Sequence, residues 1–115
     1  MIKKLMIAAA LLSSTPATAR EAATDDGNEL YGYCTDDGYF LQGMCLGYIC
    51  GTIAMFSLSA ELNKTQNFCI PFNVTAGQIQ DVVVQYMRRN ASQRHYPSAG
   101  IIMLAINEAW PCRAS

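Results

Sequence analysis

Five cysteines, Cys34, Cys45, Cys50, Cys69 and Cys112, all lie downstream of an apolar N-terminal leader. In a small chain destined for an oxidising compartment, the way such thiols pair is the first constraint on the fold. Met1–Ala19 reads as a cleavable signal peptide. Lys3 and Lys4 form its basic start, Leu5 to Leu12 its apolar stretch, and Ala17-Thr18-Ala19 the small residues at the cut. The apolar stretch is well short of the ~20 residues needed to span a bilayer, and no cysteine follows the cut to accept a lipid. The mature chain is expected to carry no stable membrane anchor. Residues 20–115 then form one domain, near the size at which an apolar core alone stabilises modestly. Closing a loop such as Cys69 to Cys112 would contribute ~4 kcal/mol, a large share of the ~5–15 kcal/mol of a typical domain.

Charge narrows the partners. Removing Lys3 and Lys4 leaves six basic residues against nine acidic ones, so nucleic acid is excluded as an expected ligand. Glu21, Asp25, Asp26, Glu29, Asp36 and Asp37 crowd the first part of the chain, whereas Arg88, Arg89, Arg94 and His95 lie together late in it. That asymmetry suits either an interaction surface or a solvated face.

The apolar pattern is helical throughout, and the fold class is all-α: a small disulfide-bonded bundle of about four helices. Arg20 to Gly27 is polar and reads as a frayed start. A short helix follows from Asn28, its expected cap, and ends at the Asp36-Asp37-Gly38 turn. Gly38 to Ala60 contains no charge, so the helix there is expected to be buried on most sides. Its four glycines, Gln42 and two cysteines argue against a second membrane span. Gly43, Gly47 and Gly51 recur at every fourth position, a stripe that permits close approach of a neighbouring helix of the same chain or of a second subunit.

Leu62 to Val74 reads as a connection pinned to the core by Phe68, Cys69, Ile70 and Phe72. Thr75 with Gln78 forms a capping box, and Ile79, Val82, Val83, Tyr86 and Met87 share one face of the third helix. Arg88 and Arg89 suit its negative end. Asn90 to Tyr96 breaks the periodicity as a loop, Pro97 is placed as the first residue of the last helix, and Pro111 stops that helix at Cys112.

The chain is poor in catalytic groups. It has one histidine, His95, the cysteine spacings do not make a paired C-x-x-C metal site, and Asp36-Asp37 beside Gly38 is turn chemistry. No catalytic residue, metal ligand or cofactor is expected, and no enzyme. What remains is an exported helical domain presenting a loop, the build of an inhibitor or binding module.

Six segments carry a more specific resemblance. They are Leu30-x-x-x-Cys34; Cys45-Leu46-Gly47-Tyr48-Ile49-x-Gly51; Phe68-Cys69-Ile70-Pro71-x-x-Val74-Thr75-x-x-Gln78; Val82-Val83-x-x-Tyr86-Met87; Arg94-His95-x-x-x-Ala99; and Ala109-Trp110-Pro111-Cys112. In this order, from Leu30 to Cys112, they resemble the Rap/Tai family of type VI secretion amidase immunity proteins. The resemblance implies a periplasmic homodimer of a Gram-negative bacterium that binds a secreted peptidoglycan amidase effector and blocks its cleft. It also implies that the loop between the last two helices enters that cleft, which here assigns partner binding to Asn90, Ser92, Gln93, Arg94, His95 and Tyr96. Arg94 and His95 are open to two roles, contact with the partner or bonding that holds the loop's shape.

Cys34, Cys45, Cys69 and Cys112 occupy the family's cysteine positions and are the disulfide candidates. If the last two helices form an antiparallel hairpin, Cys69 pairs with Cys112 and Cys34 with Cys45. The alternative joins Cys45 to Cys69 and Cys34 to Cys112. Cys50 lies outside the family set and is the expected free thiol, buried in its apolar helix or bridging two subunits, with burial favoured. A different class of function stays in view: a periplasmic chaperone-like or stress-response helical protein that holds unfolded clients and has no dedicated toxin partner.

Overall fold

The computed structural model of the chain describes residues 26–65 and 68–113. The expected signal peptide, Met1–Ala19, lies outside the described residues. Four α-helices follow one another: α1 (Gly27–Thr35), α2 (Tyr39–Asn63), α3 (Ala76–Arg89) and α4 (Ser98–Ala109), with a 3₁₀ turn at Ala91–Gln93. The fold is all-α. Each helix packs against the other three, around a core of Leu30, Ile49, Val83, Met87, Ile101, Ile102 and Ile106.

Local chemistry sets the helix ends. Asp26 caps α1 through a bond from the Glu29 amide to Oδ1 at 3.1 Å. The cap of α1 is therefore Asp26, two residues before the expected cap, Asn28. Leu30 and Cys34, one turn apart, form the buried stripe of α1. Gly38 N–H donates to Asp36 Oδ2 at 2.7 Å, the local turn that the two aspartates predict. The carbonyls freed at the end of α1 are taken by α2: Gln42 Nε2 donates to Cys34 O at 3.0 Å and to Asp36 O. Gln80 of α3 donates in turn to Gln42 Oε1 at 2.8 Å. This amide relay ties three helices together at one point.

Thr75 Oγ1 accepts from the Gln78 amide at 3.1 Å, as its position before α3 predicts. Val83, Tyr86 and Met87 form the buried face of that helix. Pro97 sits one residue before α4 rather than as its first residue. Two disulfides close the structure, Cys34–Cys45 and Cys69–Cys112, with Cα atoms 5.0 and 5.1 Å apart. The alternative pairing is thereby excluded. The first joins α1 to α2, and the second closes a covalent ring containing α3 and α4. Trp110 O accepts from Cys69 N–H at 2.9 Å beside that bond.

Four expectations are corrected. Only Cys45 and Ile49 of α2 are buried, and Tyr39, Phe40, Met44, Met55, Leu58 and Leu62 face solvent. The other three helices are short, and they cover one side of a helix that extends beyond them. The glycine stripe lies on the uncovered side: a Cβ at Gly43, Gly47 or Gly51 would meet nothing within 4 Å. It therefore does not serve packing within the chain. Cys50 is free and exposed rather than buried, because it shares that side. Phe72 is likewise fully exposed, while Phe68 and Ile70 pack on the core.

By length and composition α2 is apolar enough to cross a membrane. Its covered side, however, carries the Gln42–Gln80 relay and packs on α3, which bears the exposed charges Asp81, Arg88 and Arg89, an arrangement hydrocarbon does not accommodate on all sides.

Candidate functional site

The segment from Asn90 to Tyr96 links α3 to α4, and its shape is determined largely by what lies beneath it. Asn90 ends α3 with its own amide and its side-chain Nδ2 both donating to Tyr86 O, at 3.0 and 2.9 Å. Gln93 N–H donates to Asn90 O, Arg94 N–H to Ala91 O, and Tyr96 N–H to Gln93 O, which rolls the chain into a tight turn. The Tyr86 hydroxyl, at the edge of the core, donates to Gln93 Oε1 at 3.0 Å.

A helix leaves its first amides without partners inside the helix. In α1 these amides close on the loop. Gly27 N–H donates to Tyr96 O and Asn28 N–H to Arg94 O, both at 2.9 Å. Asp26 pairs with Pro97 as an isolated antiparallel bridge. The positive end of the α1 dipole thus faces the loop's carbonyls. Gly27 is required here by space: a Cβ would lie 2.2 Å from Ile101 Cδ1 and 2.7 Å from Arg94 O.

Arg94 faces inward. Its Nε donates to Met87 O at 2.8 Å, and its guanidinium carbon lies 3.7 Å from the centre of the Tyr31 ring. Arg88 also reaches Tyr31. A hydrogen bond from Arg88 and the charges of Arg88 and Arg94 hold the Tyr31 hydroxyl below the ordinary tyrosine value near 10, against a smaller opposing effect of burial. Burial, with the Glu108 carboxylate, pushes Tyr86 the other way.

The loop residues therefore fall into two sets. Asn90, Gln93 and Arg94 are half-buried and bonded to α3 or stacked on α1, whereas Ser92, His95 and Tyr96 are exposed. The His95 and Tyr96 rings lie 4.4 Å apart, tilted by 40°. These two rings and the Ser92 hydroxyl make an outward tip with donors, acceptors and aromatic surface on a backbone held from below. Tyr31, Arg88, Tyr86 and Gly27 complete the site without having been expected in it. Asp26-x-x-Glu29 fits a capping pattern and was the one local signal of where α1 begins. Nothing local links Tyr31 to Arg94, which are far apart in sequence. Among the described residues, no three His, Cys, Asp or Glu side chains gather to hold a metal ion.

No curated protein and no solved structure matches the chain significantly. The family model for Rap1a immunity proteins matches residues 26–112, which include all four helices, both disulfides and the clamped loop. The chain belongs to the family of Rap1a immunity proteins.

Proposed function

We propose that this protein is a periplasmic, homodimeric immunity protein that protects its cell from a type VI secreted peptidoglycan amidase by occluding the enzyme's active cleft. Membership of the immunity family supports the class, and the leader-like Met1–Ala19 supports export. The observation that carries the mode of action is the clamped loop. Its backbone is fixed by the α1 amides, so the exposed tip meets a partner with little conformational entropy left to lose. Ser92, His95 and Tyr96 are the contact residues in this reading. Asn90, Gln93 and Arg94 act through the shape they impose. Inhibition is steric and stoichiometric, with no chemistry by the immunity protein itself. The test pairs the mature domain with the secreted hydrolase encoded beside it. A saturable complex and loss of muropeptide cleavage are expected, and both are lost in Ser92→Arg with Tyr96→Ala. A hydrolase that neither binds nor slows ends the proposal.

The exposed apolar side of α2 favours a second reading, a holdase for unfolded periplasmic proteins. A holdase suppresses aggregation of unrelated clients and tolerates changes in the Asn90 to Tyr96 loop.

A further inference from the structure

The uncovered side of α2 has a distinct shape. Its middle is a waist of small residues, Gly43, Gly47, Cys50, Gly51 and Ala54, all exposed. Large apolar side chains flank the waist: Tyr39, Phe40 and Met44 on one side at 97, 78 and 40 % exposure, and Met55, Leu58 and Leu62 on the other at 64, 48 and 73 %. An apolar groove of about 410 Å³ runs beside it, lined by Gly47, Gly51, Met55, Phe56 and Ala99 among others.

From this we infer that the waist of α2 is the contact between two copies of this chain, crossing at Gly47 and Gly51 so that the two Cys50 thiols face each other. The inference deepens the dimeric part of the proposed function and rests on it. Three observations select a second copy as the occupant. Taking the ~200 Å² of an aromatic side chain as the upper limit for each, the six flanking residues at their observed exposures present at most roughly 800 Å². That upper bound is of the order of the ~800 Å² per partner of a stable protein interface. A two-fold contact sets a surface against itself, and the absence of any charge from Tyr39 to Ala60 means that no like charges meet. The flanks and waist are also complementary in shape: the glycines let two backbones approach closely, and the partner's large side chains have the groove to enter. The waist is the one part of this face where two Cα atoms can come within the ~4.4–6.8 Å that a disulfide spans. With oxidised glutathione as the electron acceptor, the two Cys50 thiols would lose two protons and two electrons to form one S–S bond, and glutathione disulfide would leave as two thiols.

Sedimentation analysis of the mature, disulfide-intact protein tests this. Gly47→Leu is expected to raise the dimer dissociation constant at least 100-fold while keeping the wild-type helical content, since a Cβ at Gly47 meets nothing within 4 Å in the chain. Leu58→Asp is expected to act in the same direction. Oxidised glutathione is expected to give a reducible covalent dimer that Cys50→Ser abolishes. A wild-type dimer that survives both substitutions, or that fails to link through Cys50, overturns the assigned face and leaves the dimeric reading standing. A wild-type protein that is monomeric at every concentration overturns both. The same holds if it binds phosphatidylethanolamine and phosphatidylglycerol vesicles or unfolded clients through α2 instead. Binding of the hydrolase by the monomeric variants is measured separately, which distinguishes failure of the interface from failure of inhibition.

Discussion

The Arg94 guanidinium lies over the Tyr31 ring, 3.7 Å from its centre, while its Nε bonds Met87 O. One side chain from the loop therefore grips both α1 and α3. Arg94→Ala is expected to destabilise the domain by about 1–3 kcal/mol, through the lost charged hydrogen bond and ring contact. Arg94→Lys keeps the charge but not the planar donor, and is expected to recover less than half of that loss. Urea unfolding of the two variants measures both. Under the proposed function, inhibition of the secreted hydrolase should fall with loop order rather than with charge.

Gly27→Ala is expected to be more harmful than an alanine in a helical first turn normally is. Its Cβ would overlap Ile101 Cδ1 and the Arg94 carbonyl, at a cost of about 1–3 kcal/mol for overpacking. The clamp opens as a result, so the Gly27 and Asn28 amides are expected to exchange with solvent faster. Hydrogen exchange reports this directly, and Gly100→Ala, where nothing lies within 4 Å, serves as the neutral comparison.

The two tyrosines shift in opposite directions, which gives a signed pH dependence. Tyr86 is raised, so its contribution to stability is fully present below the unfolded tyrosine value near 10 and is lost as pH rises through its folded value. Tyr31 is lowered, so its contribution is present above the unfolded value and is lost as pH falls through its folded one. Absorbance titration at alkaline pH is expected to lose a phenolate step below the ordinary tyrosine value in Tyr31→Phe and one above it in Tyr86→Phe. At neutral pH, Tyr86→Phe also removes the bond to Gln93, worth about 0.5–1.5 kcal/mol.

The two disulfides are expected to contribute unequally. Chain entropy gives about 4 kcal/mol for the 43-residue separation of Cys69–Cys112 and about 3 kcal/mol for the 11-residue separation of Cys34–Cys45. Paired Cys→Ala variants compared by denaturation should show that order. The buried Cys34 and Cys45 add a packing loss of their own, so a reversed order would assign the larger effect to the core.

Features that depend on neighbours in sequence were readable from it. Thr75 with Gln78, the Asp36–Gly38 turn and the buried stripe of α3 are each set within a few residues, and each stands where its pattern places it. The loop's position was readable for the same reason, as a break in periodicity. Burial of α2 was not, because an uncharged helix has the same composition whether its own chain or a partner covers it. Cys50 was misplaced on that same ground, whereas Phe72 lies in the connection between α2 and α3 and is exposed although aromatic. The division of the loop into Asn90, Gln93 and Arg94 beneath and Ser92, His95 and Tyr96 outside depends on Tyr31 and on the amides of Gly27 and Asn28. Those partners come from the other end of the chain, and no local pattern encodes them.

The disulfides leave the molecule in two covalent halves, one ring through α1 and α2 and another around α3 and α4, joined by the peptide connection alone. The clamp between Gly27, Asn28 and the loop sits on the seam between these halves. Any pull exerted on the tip is thus transmitted as tension across that seam, and rupture there would begin with the two hydrogen bonds from Gly27 and Asn28 rather than with either sulfur cross-link.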